Sequence, residues 1–294
     1  MTAALVDAQL ELNVGAELGE GPVWDPRAGC LYFVDILRGR IHSYQPCTRS
    51  VSTCAIDRSA GALALTEAGD LVVAVRDGFG RLDPVTCRFS MLACVHDNRP
   101  ELRMNDGNCD AAGRFWAGTM ALDERPGAGA LYRLSVDGTV ERMLPEVSIS
   151  NGIGWTGDNR RMYFIDSPTQ RIDVFDFDVE AGTICNRRPF VSIPPGSGVP
   201  DGLTLDADDF VWVALWRGGA VHRYTPDGEL DLIVRVPVTH PTSCAFGGPD
   251  LRDLYITTAS IALSDGERAR QGMAGDLFRC RPGPTGRVPY RFKG

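Results

Sequence analysis

Positive charge is scarce in this sequence relative to negative. Thirty Lys and Arg face 38 Asp and Glu, a formal net charge of −8 over 294 residues. A nucleic-acid partner would require a basic face to displace the counterions around phosphates, so the charge balance argues against that class and none is expected. Long apolar runs are missing as well. No window approaches the roughly 20 apolar residues that span a bilayer, so no membrane partner is expected. The opening MTAALVDAQLELNVGAELGEGP lacks a basic leader and apolar stretch, and is not expected to act as a secretory signal. The nine cysteines are odd in number, irregularly spaced and without a C-x-x-C. That pattern excludes a zinc ribbon and a dithiol redox motif, and it argues against a disulfide framework. Reduced, mostly buried thiols in a cytoplasmic protein are expected. A sustained helical period of 3.6 is absent, which excludes an α/β fold. The nearest candidate, SDGERARQG from Ser264, reads as a loop or a single turn. No G-x-S-x-G elbow of a serine hydrolase occurs. GAGAG from Gly127 has no strand-turn-helix around it and is a loop, not a dinucleotide motif.

What is present is a repeat. An acidic or turn-forming residue, a short polar turn and an aromatic-rich apolar strand recur six times. The copies start at Asp25, Glu67, Asp110, Thr156, Asp206 and Pro249, at spacings of 42 to 50 residues. Each copy is followed by a second strand-and-turn signature, as in GRIHSYQP, ALYRLSVDG and AVHRYTPDG. Short alternating strands between Gly-, Asp- and Pro-rich turns mark antiparallel β-structure. A period of 40–50 residues holding several strands marks a propeller blade. The expected fold is therefore all-β, a six-bladed β-propeller with four-stranded antiparallel blades, residues 1–294 forming one domain. His42, His96, His222 and His240 show no metal-ligand spacing. His42 and His222 are assigned to the same outer strand of blades 1 and 6 and read as structural. Trp116, Trp155, Trp212 and Trp216 fall in strands and read as blade packing, with Trp216 placed where it could reach the channel mouth.

The repeats supply their own control, because equivalent positions should be alike unless some blades have a task. Five residues before each start stand Glu20, Ala62, Asn105, Asn151, Asp201 and Cys244. Four of the six blades thus put a side-chain oxygen at one phase, just before a strand such as GPVW, GIGW or GLTL that would be the innermost of its blade. Innermost strands line the central channel, so these side chains should converge at its mouth. Two carboxylates and two carboxamides form a hard, all-oxygen set that suits a divalent ion such as Ca²⁺, Mg²⁺ or Mn²⁺.

The sequence resembles the gluconolactonase and regucalcin family, also called the senescence marker protein family, over nearly the whole chain. The resemblance rests on LGEGPVW, RMNDGNCDAAGRFWAGTM, ISNGIGW, IDVFDFDVEAGTICNRRPF, VPDGLTLDADDFVWVALW and TSCAFGGPDLRDLYITTA. It implies a six-bladed propeller. It also implies a metal held by Glu20, Asn151 and Asp201, with Asn105 beside metal and substrate and Arg103 as a substrate contact. An acidic substrate contact after the GTM segment would be Asp123 or Glu124, with Asp123 preferred by position. The implied activity is metal-dependent opening of a sugar lactone to its aldonic acid in sugar catabolism, with one divalent ion (Ca, Zn, Mn, Mg or Fe(II)). Asp201 is the candidate general base. A small-molecule lactone is the expected partner, and a monomer the expected state. Two other readings share these residues: a propeller hydrolase of organophosphates or aryl esters, and a calcium-binding regulatory protein without turnover.

Overall fold

The structure is a computed structural model that describes residues 3–95 and 99–294. Six antiparallel sheets follow one another along the chain. Their first strands are Gly19–Asp25, Ala60–Leu65, Leu102–Cys109, Ser150–Trp155, Val199–Leu205 and Pro241–Gly247. Each of these packs against the first strand of the next sheet, and the last packs against the first, which closes a ring around a central channel. The strands are buried nearly end to end, as expected of strands covered on both faces. An outer strand such as Phe89–Cys94 instead alternates between half-buried and exposed, with the period of two that solvent on one face imposes.

The fold is a six-bladed propeller, with two additions at its seam. The outermost strand of blade 6 comes from the other end of the chain: Gln9–Leu12 pairs antiparallel with Leu277–Cys280, Gln9 opposite Arg279. Just before it, Ala4–Asp7 adds to blade 5 as a fifth strand, parallel to Leu230–Arg235. Four-stranded antiparallel blades therefore hold for all but blade 5. Apolar side chains collect into six clusters, one at each interface between neighbouring blades. Trp212, Phe246, Leu254 and Phe278 fill the joint of blades 5 and 6. Trp24, Phe33, Tyr44 and Tyr255 fill the joint of blades 6 and 1.

The acidic residue that opens several repeats is a structural hub. Asp206 is fully buried. Its Oδ1 accepts the backbone N–H groups of Asp208 and Phe210, closing the turn. Its Oδ2 accepts Trp212 Nε1 at 3.0 Å and Arg223 Nη2 at 2.7 Å. Asp110 does the same in blade 3, taking Trp116 Nε1 at 2.8 Å and Arg114 Nε at 2.6 Å.

After its last strand the chain crosses the end of the ring remote from the first residues of the inner strands. This tail touches every blade. Gly286 N–H donates to Leu251 O, and Ala207 N–H donates to Thr285 O. Tyr290 OH reaches Asn159, Arg291 Nη2 reaches Asp25, Phe292 N–H donates to Leu65 O, and Lys293 Nζ donates to Ala111 O.

Three expectations need correction. Cys54 and Cys87 form a disulfide between the outer strand of blade 1 and a turn of blade 2, and Cys47, Cys94 and Cys185 are exposed. The thiols are thus neither all reduced nor uniformly buried. The Ser264 segment forms a six-residue helix, Asp265–Arg270, started by a capping box between Ser264 and Glu267. His222 lies in blade 5, not blade 6, on Ala220–Tyr224. It does occupy the same third strand as His42 in blade 1. Both histidines have structural partners, His42 against Phe33 and Thr53, His222 against Tyr224. His96 lies outside the described residues. Among the described residues no helix is long and apolar enough to cross a membrane.

Candidate functional site

All six inner strands break register near their first residues. The breaks fall between Glu20 and Val23, Ala60 and Ala62, Met104 and Gly107, Asn151 and Ile153, Pro200 and Leu203, and Pro241 and Ser243. A bulge re-aims the side chains beside it. Here the bulges bring Glu20, Asn105, Asn151 and Asp201 to the same end of the channel, and all four are buried. Strand pairing shifts the phase by one residue in two blades. The true counterparts of these four are Gly61 in blade 2 and Ser243 in blade 6, not Ala62 and Cys244. Glycine has a steric reason at 61: a Cβ there would run into the backbone carbonyl oxygen of Asn105.

Hydrogen bonds hold the amides in one orientation. Asn105 Nδ2 donates to Asn151 Oδ1 at 2.9 Å and to Ser150 O at 2.8 Å. Asn151 Nδ2 donates to Ser167 Oγ at 2.8 Å, and Ser167 Oγ donates to Pro200 O at 2.7 Å. The second lone pair of Asn151 Oδ1 is left for another partner. Glu20 Oε2 accepts the N–H of Gly21 at 2.9 Å. Arg103, also buried, donates Nη1 to Asn105 Oδ1 at 2.5 Å and to Met104 O at 3.0 Å.

The electrostatics of this cluster are strained by like charge. Burial, then the charges of Asp201 and Asp106, push the Glu20 carboxyl well above the ordinary range. Burial and Asp106 do the same to Asp201, with Arg103 opposing. Asp106 is raised by burial to about 6. Burial lowers Arg103 to about 10, against the pull of Glu20, Asp201 and Glu124. Three buried carboxylates beside one guanidinium leave an excess of negative charge that a divalent cation would neutralise. Among the described residues no three His, Cys, Asp or Glu cluster as metal ligands. Glu20 and Asp201 with the amide oxygen of Asn151 could together offer a hard-oxygen donor set of the kind calcium or magnesium takes.

Asp123 and Glu124 part company. Asp123 is exposed and pairs with Arg125 at 3.1 Å, on the surface. Glu124 is the one whose charge acts on Arg103. Trp216 ends the second strand of blade 5 opposite Val199, at the end that carries Asp201, and its ring stacks on His240 at 4.0 Å. Two participants were not singled out from the sequence. Asp106 follows Asn105 and lines a channel of about 150 Å³ below the site, closed at the far end by Val288, Pro289 and Tyr290. Its signal was a second polar residue directly beside Asn105, where a regular strand would alternate faces. Ser167, on a 3₁₀ turn of blade 4, locks Asn151 and has no signal in the sequence at all.

Comparison with known proteins bears on the same residues. Residues 18–260 match the family described as the SMP-30/gluconolactonase/LRE-like region. The chain belongs to that family. The SMP-30/gluconolactonase match spans Glu20, Arg103, Asn105, Asn151 and Asp201, and so includes every residue that converges at the channel mouth. Among its relatives is the protein named "Putative sugar lactone lactonase YvrE" from Bacillus subtilis (strain 168). It is 36% identical over 290 residues, covering 98% of this chain and 99% of that one. Regucalcin of Xenopus laevis is 35% identical over 285 residues, covering 95% of each chain. A solved structure described as a calcium-binding protein, regucalcin, from Agrobacterium tumefaciens strain C58 superposes with a TM-score of 0.95. It is 28% identical and covers 99% of both chains.

Proposed function

We propose that this protein is a divalent-metal-dependent hydrolase that opens a sugar lactone to the corresponding aldonic acid. The observation that carries the reading is the buried convergence of Glu20, Asn151 and Asp201 with Asn105 and Arg103 at one end of the propeller channel. Family membership and the lactonase name of the Bacillus relative support it. Glu20, Asn151 and Asp201 would hold the ion, which when bound supplies Lewis-acid polarisation of the lactone carbonyl. Arg103 donates to substrate oxygens, and Asn105, whose two amide hydrogens are committed to Ser150 and Asn151, offers the second lone pair of its Oδ1 to a substrate hydroxyl. Asn105 is itself fixed by its bonds to Asn151 and Ser150, so it is preorganised before substrate arrives. Asp201 takes the proton of the attacking water as the new C–O bond forms. It returns that proton to the ring oxygen as the ring C–O bond breaks.

A second reading has one observation in its favour, the calcium-binding description of the Agrobacterium structure. It assigns ion binding to the same residues and no turnover. Acid release from a panel of aldonolactones separates the two. The protein would be stripped with EDTA and then supplied with Ca²⁺, Mg²⁺, Mn²⁺, Zn²⁺ or Fe²⁺ in turn. Ion-dependent turnover well above spontaneous hydrolysis is expected. Ion binding with no turnover of any lactone would put the regulatory reading in its place.

A further inference from the structure

Beside the site lies a cleft of about 520 Å³ in blades 1 to 3, and Arg103 forms part of its wall. Arg38, Arg58 and Arg76 line the same cleft, and among the described residues Asp57 is its one acidic lining residue. In a chain of net charge −8, the four arginines concentrate guanidinium N–H donors on one wall, with their carboxylate partners Asp35 and Asp77 set behind it. Apart from the Arg58–Asp57 bond within the wall, the guanidinium groups are anchored from outside it. Arg38 Nη1 donates to Gly15 O at 2.8 Å and to Asp35 at 3.3 Å. Arg58 Nη1 donates to Asp77 at 3.2 Å, and Arg58 Nε donates to Asp57 at 3.0 Å. Arg76 Nη2 donates to Pro100 O. Asp35 and Asp77 are not part of the wall, so these bonds fix the direction of the arginines without filling the cleft. Glu124, outside the cleft wall, lies within electrostatic reach of Arg103. Arg103 donates through Nη1 to Asn105 and Met104, so the one guanidinium belongs to the cleft and to the site at once.

A neutral sugar lactone has no use for such a wall. Resting on the lactonase reading, we infer that the substrate is a lactone bearing a second, anionic group at the end remote from the carbonyl, held in this cleft by Arg58, Arg76 and Arg103. Planar guanidinium groups match the oxygens of phosphate and carboxylate alike, and either anion would serve. The carbonyl end would face Asp201 while the charged end lies under the arginines. One binding pose thus separates the reacting carbon from the negative group.

The test compares kcat/KM, with the activating ion present, for D-glucono-1,5-lactone, its 6-phosphate and D-glucaro-1,4-lactone. At least one charged lactone is expected to exceed the neutral one by about tenfold or more, and the better of the two names the anion. Arg58→Gln and Arg76→Gln are each expected to cut that ratio about fivefold, chiefly through KM of the charged substrate. Arg58→Lys should retain most of it. Equal rates for charged and neutral lactones, or a ratio untouched by Arg58→Gln, would overturn the inference while leaving the lactonase reading intact. That outcome would mean the cleft serves the aldonate product or only stability. Loss of the lactonase reading would appear as no turnover of any lactone. The anion subsite is then decided by calorimetry with D-glucitol 6-phosphate against D-glucitol, where equal affinity sinks it and phosphate-selective binding lost in Arg58→Gln upholds it.

Discussion

Asp201 holds two duties in the proposed reaction, ion ligand and proton carrier, and one substitution separates them. Asp201→Asn keeps an oxygen for the ion and removes the base. Ion affinity measured by calorimetry should fall modestly, while turnover should fall about 100-fold or more, the usual worth of a positioned base. Undiminished turnover would transfer the base role elsewhere. Asp206 is the structural counterpart, a buried carboxylate that serves a turn, an indole and a guanidinium. Asp206→Asn leaves Arg223 facing a neutral group and should cost about 3 kcal/mol in urea denaturation. A loss below about 0.5 kcal/mol would mean that Asp231, its other partner, carries the pair. The Asn and carboxylate positions of the site could be read from the sequence because the repeat supplies a phase. Ser167 could not, since it acts from a turn outside that phase. Asp106 was within reach: it is written beside Asn105, but only the bulge shows that it faces the channel.

At the scale of the element, the shared irregularity of the inner strands matters more than any one of them. Were these strands regular, Glu20, Asn105, Asn151 and Asp201 would alternate faces with their neighbours and could not meet. Gly61 shows how tight the arrangement is. Gly61→Ala, at a position with no side chain to take part in the reaction, should press on the Asn105 backbone and lower kcat/KM about tenfold or more, with secondary structure by circular dichroism unchanged. Full activity in that variant would mean the inner strand yields without moving Asn105. Blade boundaries were legible because a turn and an apolar strand recur. The phase in blades 2 and 6 was not, because Thr66 and Gly248 stand where Asp25, Asp110 and Asp206 stand elsewhere. The Cys54–Cys87 bond was invisible for a similar reason. Its partners are 33 residues apart in different blades, and only the packing of one blade on the next brings them together.

For the molecule as a whole, the six interfaces carry its stability, and three buried histidines give that stability a pH dependence. Burial lowers His42, His222 and His240 below the ordinary histidine value, His222 to about 4. The unfolded chain takes up protons near pH 6.5, whereas in the folded ring these histidines take them up at lower pH. Stability from these groups is therefore complete above about pH 6.5 and is lost as pH falls below it, for His222 down to about pH 4. For His222 alone the loss is on the order of 3 kcal/mol. His222→Gln should flatten the acid limb of a melting-temperature profile over that window, and an unchanged limb would place the acid sensitivity elsewhere. The seam has a further consequence, for the growing chain. Blade 6 is completed only when Gln9–Leu12, made among the first residues, meets Leu277–Cys280, made among the last. At about 5–20 residues per second, the N-terminal strand waits on the order of tens of seconds after synthesis for its partner. Throughout that time the nascent chain shows an open sheet edge, the feature that invites pairing with other chains. Losses to aggregation during synthesis should then rise with the crowding of translating ribosomes, whatever the stability of the finished ring.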